Sequence, residues 1–348
     1  MKTIVLTGGG TAGHVYPNLA LKDYLKGEYI IHYIGGKGME KDIISKEKDI
    51  SYHQIETVKL ERKLTLNNLL IPFKLFKAIR QCKKLLKEIK PNVIFSKGGF
   101  VAVPVVIAGK SLKIPIVSHE SDLSLGLANK IILRCCDAMC CSFEKTITYD
   151  KKCLYTGQPI RRQVLKGNKN NLNFLDKLNK NKPNLLVVGG SSGAKFINEK
   201  VIGNSTKLLE NFNIIHITGR QKVKKIDKKG YVQVDYAENI GDFLNLADIV
   251  LSRAGSGAIN EFLAVKKPML LIPLSKKISR GDQIENANLF YNYKIADVLL
   301  EEDYDDNMFL IKINNLYKNR EKYIKNMSKI QNFNACEKII EIIKEKER

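Results

Sequence analysis

The stretch VLTGGGTAGHVYPNLALKDYLKG, residues 5–27, sets three glycines and a histidine between an apolar run and a helical pattern. Ile4, Val5 and Leu6 read as a buried parallel strand. Glycine accepts positive φ and lets a ligand approach the backbone closely. The helix that starts after Gly13 points N–H groups and the positive end of its dipole at the turn, a favourable place for phosphate. Gly8, Gly10 and Gly13 satisfy G-x-G-x-x-G. A dinucleotide site also wants an acid about 20 residues further on, ending the second strand. Here that strand, YIIHYIGG, ends in Gly35 and Gly36. A phosphate-bearing ligand other than a dinucleotide is the favoured reading, with a dinucleotide site and a plain tight turn as alternatives.

The device recurs. LLVVGGSSGAKFINE is again strand, glycine turn and helix, and IVLSRAGSGAINEF is a third, with Arg253 at the turn and Glu261 inside the helix. PLSKKISRGDQIENANLF then places Gln283 and Asn286 three residues apart, on one helix face. One such turn is commonplace. Three, accompanied by an Arg, a Glu and an amide pair, argue for ligand binding.

These residues need a scaffold. Apolar strands near 3–7, 30–34, 92–95 and 115–117 alternate with helical patterns. A charged, Asn-rich stretch at 166–184 breaks the series, which restarts at 185–190, 213–218, 247–252 and 268–273. Strands alternating with helices imply parallel sheets. Two series in 348 residues imply two doubly wound domains. Ligands of such sheets bind beyond the carboxyl ends of the strands, so a cleft between the sheets is the expected site.

The 58 Lys+Arg against 36 Asp+Glu give a formal charge of +22. Nucleic acid, anionic membrane and acidic substrates are all compatible partners. Abundant Asn and Ile beside Lys point to codon bias as a further source. Basic residues interleaved with stacking aromatics, or a known nucleic-acid module, are not evident. No secretory signal precedes the first strand and no run of about 18 apolar residues occurs, so a cytosolic, non-spanning protein is expected. Four of the seven cysteines crowd into CCDAMCC without a second Cys/His cluster, which favours buried thiols over a zinc site.

The chain resembles the MurG family of glycosyltransferases in GGGTAGHVYPNLAL, KPNVIFSKGGFVAVPVVIAG, IPIVSHESDLSLGLANK, TGQPIR, VVGGSSGA, SRAGSGAINE and DQIENA, in this order and over nearly its whole length. The resemblance implies an α/β GT-B fold, two Rossmann-like doubly wound domains facing a cleft. Residues 1–160 would form an acceptor- and membrane-facing domain and 161–330 a UDP-GlcNAc-binding domain, with a C-terminal helix of about 330–348 able to pack back on the first. It implies inverting transfer of GlcNAc from UDP-GlcNAc to the MurNAc C4 hydroxyl of lipid I, giving lipid II for peptidoglycan, without cofactor or metal.

By the same resemblance, Ser191 lies near the donor diphosphate and Glu261 binds the ribose hydroxyls, which a carboxylate can accept. Gln283 and Asn286 bind the sugar hydroxyls, and Arg161 and Arg253 are cations near the donor. Thr11, Ala12, Gly13 and Asp122 contribute from the first domain. His119, Glu120, Gly98 and Gly99 shape the acceptor side. His14 is the candidate base, since neutral imidazole suits that task near pH 7. The chain departs from common family residues at Asp122 (often Asn), Ser192 (often Gln), Ala258 (often Thr) and Asp282 (often Gln), which changes the hydrogen-bonding groups offered at those positions.

Residues 72–90, PFKLFKAIRQCKKLLKEIK, suggest how such a protein meets a lipid. Pro72 suits a helix start. Leu75, Ile79, Cys82, Leu86 and Ile89 make one apolar stripe, while Phe73 and Phe76 lie elsewhere with Arg80, Lys84 and Lys87. Residues 59–90 hold ten Lys/Arg and two Asp/Glu. Aromatics beside cations suit an anionic bilayer surface, and the MurG resemblance puts a membrane patch in this region. A peripheral location on the cytoplasmic face of the cell membrane is therefore expected, with wall-synthesis and division proteins as further partners. The competing activity is a GT-B transferase acting on another lipid, such as diacylglycerol.

Overall fold

The computed structural model describes residues 1–57, 71–190, 193–219, 221, 223–330 and 334–347. The chain divides into two compact units, Met1–Arg161 with Phe333–Arg348, and Arg162–Asn332.

The first unit runs β1 (Lys2–Thr7), α1 (Tyr16–Leu25), β2 (Tyr29–Gly35), α2 (Met39–Ile44), β3 (Ile50–Gln54), α3 (Ile71–Ile89), β4 (Val93–Ser96), α4 (Ala102–Ser111), β5 (Ile116–Glu120), α5 (Leu127–Cys135), β6 (Ala138–Cys141) and β7 (Cys153–Tyr155). Its seven strands form one parallel sheet, ordered β3-β2-β1-β4-β5-β6-β7. Ile4–Thr7, Val93–Ser96 and Ile116–Glu120 are wholly buried, as strands covered by helices on both faces must be.

The second unit contains α6 (Arg162–Leu165), β8 (Asn184–Val188), α7 (Lys195–Gly203), α8 (Ser205–Asn211), β9 (Asn213–Ile217), β10 (Tyr231–Val234), α9 (Ile240–Leu246), β11 (Ile249–Ser252), α10 (Ser256–Ala264), β12 (Met269–Leu271), α11 (Asp282–Asn292), β13 (Ala296–Val298), α12 (Asp306–Lys318) and α13 (Arg320–Met327). Its six-stranded sheet is also parallel, in the order β10-β9-β8-β11-β12-β13.

The last helix, α14 (Ala335–Lys346), belongs to the first unit. Cys336, Ile339, Ile340 and Ile343 enter the same apolar cluster as Leu21 and Leu25 of α1. The four apolar positions follow helical spacing, so one face is buried against α1 and the opposite face carries the charges.

Each sheet reverses its strand order at one place, between β1 and β4 and between β8 and β11. Neighbouring connections leave in opposite directions there, which opens a crevice at the carboxyl ends. The paired ends are level: Thr7 lies beside Ser96, and Val188 beside Ser252. The next residues are Gly8 and Lys97 in the first unit, Gly189 and Arg253 in the second. The two units thus repeat one arrangement, a glycine turn on one strand and a cation on the other.

Candidate functional site

At the reversal point of the first sheet, Thr11, Ala12, Gly13 and His14 form a short turn leading into α1. Thr11 and Gly13 are exposed, Ala12 is buried and His14 is half-buried. The His14 Nδ1 lies 3.0 Å from the Gly9 carbonyl oxygen and 3.2 Å from Thr11 Oγ1. A carbonyl only accepts, so Nδ1 carries the proton and the neutral ring keeps its lone pair on Nε2. This is the tautomer a proton acceptor needs. Gly98 and Gly99, after β4, both have positive φ, 86° and 79°. A Cβ on Gly99 would stand 2.7 Å from the Gly9 oxygen and 3.0 Å from His14 Nδ1, so only glycine lets the two turns approach here.

The glycine turn is not an open phosphate cradle. Glu40, at the start of α2 and 1 % exposed, accepts hydrogen bonds from Gly10 N (3.1 Å) and Gly36 N (3.0 Å). An internal carboxylate already occupies the anion position at Gly10. A phosphate at this turn, the favoured reading of the sequence, would share it with the Glu40 carboxylate.

The end of β5 gathers the remaining residues expected on the acceptor side. His119 is fully buried and its Nε2 donates to the Gly157 carbonyl at 3.0 Å. Burial and the neighbouring Lys97 charge hold its pKa well below the usual imidazole value. His119 is therefore a neutral tie between β5 and the segment after β7. The Glu120 carboxylate accepts from Asp122 N (2.9 Å), Gly126 N (3.2 Å) and Asn129 Nδ2 (2.9 Å). It shapes the loop that presents half-buried Asp122. Arg161, the last residue before the second unit, stacks its guanidinium 3.9 Å from the centre of the Tyr16 ring.

In the second unit, α7 and α10 both start after glycine turns and carry no acid in their first turns, which leaves their positive ends without a local countercharge. Glu261 is half-buried on α10. Gln283 Oε1 accepts from Leu274 N at 3.1 Å, and Asn286 Nδ2 donates to the Ala254 carbonyl at 3.3 Å. These two amides bring α11 to the loop after β12 and to the turn after β11. Gln283 is half-buried, whereas Asn286 is fully enclosed. Arg253, expected as a cation near the donor, is buried and engaged within its own unit. Its Nη2 pairs with Glu301 at 2.5 Å, and its Nη1 donates to the carbonyls of Ile272 (2.9 Å) and Pro273 (3.2 Å). Its charge is compensated inside the unit. Ser191, expected near the diphosphate, and Ser192 lie outside the described residues.

On α3, Ala78, Cys82 and Leu86 are buried, with Leu75, Ile79 and Ile89 packed partly beside them. Phe73 and Phe76 are 76 % and 62 % exposed, and the Arg80 guanidinium sits 6.0 Å from the Phe76 ring centre. Lys84 and Lys87 are exposed as well. Residues 58–70, which hold part of the basic stretch, lie outside the described residues. No described helix is long and apolar enough to cross a membrane.

The sequence matches the model of the glycosyltransferase family 28 N-terminal domain over residues 4–141, and that of the family 28 C-terminal domain over 184–343. The chain belongs to glycosyltransferase family 28. Among curated relatives of this family 28 enzyme, a protein of Clostridium tetani (strain Massachusetts / E88) is 48% identical over 349 residues, covering 98% of this chain and 97% of its own. One from Clostridium botulinum (strain Langeland) is 49% identical over 351 residues, covering 99% of each. Both are named UDP-N-acetylglucosamine–N-acetylmuramyl-(pentapeptide) pyrophosphoryl-undecaprenol N-acetylglucosamine transferase. A crystal structure of Acinetobacter baumannii MurG superposes with a TM-score of 0.75 at 23% identity, over 99% of this chain and 100% of that one. The kitacinnamycin glycosyltransferase gives 0.76 at 13%, over 99% of each chain. These likenesses establish the GT-B fold.

Two buried charged residues beside these turns escaped the sequence reading, Glu40 and Lys97. Glu40 acts on a turn 30 positions away, and nothing local marks it. Lys97 had a signal: a lone cation within VIFSKGGFVAV, a run of otherwise apolar or small residues at a strand end.

Proposed function

We propose that this glycosyltransferase moves GlcNAc from UDP-GlcNAc to the C4 hydroxyl of MurNAc in undecaprenyl-pyrophosphoryl-MurNAc-pentapeptide, with inversion. The observation that carries the reading is identity of 48–49% to transferases of that name over 98–99% of the chain. The acceptor oxygen attacks the anomeric carbon, the bond from that carbon to the diphosphate oxygen breaks, and its electron pair leaves with UDP. The hydroxyl proton passes to His14 Nε2, which the Nδ1 bond to Gly9 keeps in its basic tautomer. In the second unit, the starts of α7 and α10 supply positive potential to the donor diphosphate. Glu261 takes the ribose hydroxyls, and Gln283 reads the sugar by exchanging its bond to Leu274.

The outward face of α3, with Phe73, Phe76, Arg80 and Lys84, rests on the anionic cytoplasmic face of the cell membrane, where the lipid acceptor is presented. The deciding experiment is transfer from labelled UDP-GlcNAc to a short-chain lipid I analogue, with diacylglycerol as the competing acceptor. Product on the lipid I analogue alone supports the reading. Product on diacylglycerol alone replaces it.

A further inference from the structure

Lys97 is only 1 % exposed, and its ammonium makes one side-chain hydrogen bond, 2.5 Å to Ser121 Oγ. Among the described residues no carboxylate lies within ion-pair distance. A buried ammonium with no carboxylate in direct contact is costly, and a structural residue at this place would more cheaply be apolar.

The bond to Ser121 begins a directed chain. Ammonium only donates, so Ser121 Oγ accepts from it and sends its own proton to Gln158 Oε1 at 2.8 Å. Ser142 Oγ donates to the same oxygen at 2.6 Å. Lys97 follows β4, Ser121 follows β5, Ser142 follows β6, and Gln158 stands three residues beyond β7. The chain therefore crosses four adjacent strand ends, with its only charge at the crevice where the sheet order reverses.

We propose that Lys97 is a positioning residue for glycosyl transfer: through Ser121 it fixes the loop that carries Asp122. The assignment rests on the acceptor-side reading of the first unit given above. From β5 the ammonium faces His119 and Glu120, from the following loop Asp122, and from β6 the thiols of Cys140 and Cys141. His119 is neutral, so Glu120 and Asp122 are the charges that favour the cation, and burial opposes them. Burial dominates and brings the lysine pKa down to about 8.

Two pH effects of opposite sign follow. Activity falls as the pH rises through about 8, because neutral Lys97 no longer holds Ser121 as firmly. Fold stability rises over the same span, because there the unfolded chain still binds the proton and the folded one does not.

The test is a double-mutant cycle of Lys97→Met and Ser121→Ala, assayed with the short-chain lipid I analogue across pH 6–10 beside thermal unfolding. Lys97→Met should lower kcat/KM by about 10²-fold, the usual cost of a small misplacement at a reacting centre. It should also raise the melting temperature below pH 8 and abolish the alkaline activity limb. The double mutant should be no worse than the poorer single variant. Parallel loss of stability and activity in Lys97→Met, additive losses in the cycle, or kcat/KM within about twofold of wild type would each overturn the proposal. Wild-type protein inactive toward lipid I would instead overturn the functional reading on which it rests.

Discussion

Lys97 and Arg253 hold corresponding places in the two sheets, each directly after the strand that borders the reversal point. Their surroundings differ. Arg253 has Glu301 at 2.5 Å and two backbone carbonyls on its guanidinium, and its charge is spent within the unit. Lys97 has a serine. The glycine turns beside them differ in the opposite sense. In the first unit Glu40 fills the donor site at Gly10, whereas the second unit's helices start without an acid in their first turns. One supersecondary device thus sets a cation with no contacting carboxylate beside a turn held by Glu40 in one unit, and an ion-paired cation beside helices that begin without an acid in the other. Fold repetition does not carry function with it; the countercharges decide.

The sharpest way to break the comparison is His14→Ala, which removes the proposed proton acceptor of the first unit and leaves the second intact. Turnover should fall about 10²–10⁴-fold, the usual share of general base catalysis, while UDP-GlcNAc affinity by calorimetry stays close to wild type. Turnover near that of wild type would take His14 out of the mechanism.

Glu40→Ala comes next. It strands the buried N–H of Gly36, worth about 1–3 kcal/mol when unpaired, and releases the more exposed one of Gly10 to water, so urea unfolding should show a loss of about 1–3 kcal/mol. Inorganic phosphate, compared with chloride at equal ionic strength, should restore part of that stability in the variant but not in wild type. A phosphate-insensitive variant would mean that Glu40 closes no anion site.

Donor-side substitutions sharpen the second half. Glu261→Ala should weaken UDP and UDP-GlcNAc alike by about tenfold, whereas Gln283→Ala should cost UDP-GlcNAc about tenfold and UDP little, each the price of a hydrogen bond or two. Equal losses for both ligands in the Gln283 variant would show that it does not read the sugar.

The smallest catalytic effect is expected from Phe73→Ser with Phe76→Ser. Binding to phosphatidylglycerol vesicles should drop and wild-type binding should weaken with salt, while transfer to the short-chain acceptor is nearly unchanged. Loss of short-chain transfer would assign these rings to the fold.

Central strands were legible in the sequence because a strand buried on both faces must be apolar throughout, as IVLT and LLVV are. The edge strands were not. Ile50–Gln54 reads ISYHQ, half polar, and Ala296–Val298 has three residues, too few for a period to show. Of the last two strands of the first unit, β6 lay inside the cysteine cluster, which was read for its thiols and not as a strand, and β7 has only three residues. The candidate site residues were read from their turns, which are local. The partners that set their charge are distant in sequence: Glu301 lies 48 positions from Arg253, and only the packed sheets bring them together.

All seven cysteines fall in the first unit, and six of them are buried. Burial pushes the thiols of Cys82, Cys136 and Cys140 up to about 12, so thiolate is scarce while the unit stays closed. Alkylation must then wait for the backbone to open. The chain consequently contains its own one-sided clock: the rate at which these buried sulfurs react times the breathing of the first unit alone, with no label or tag needed to silence the other.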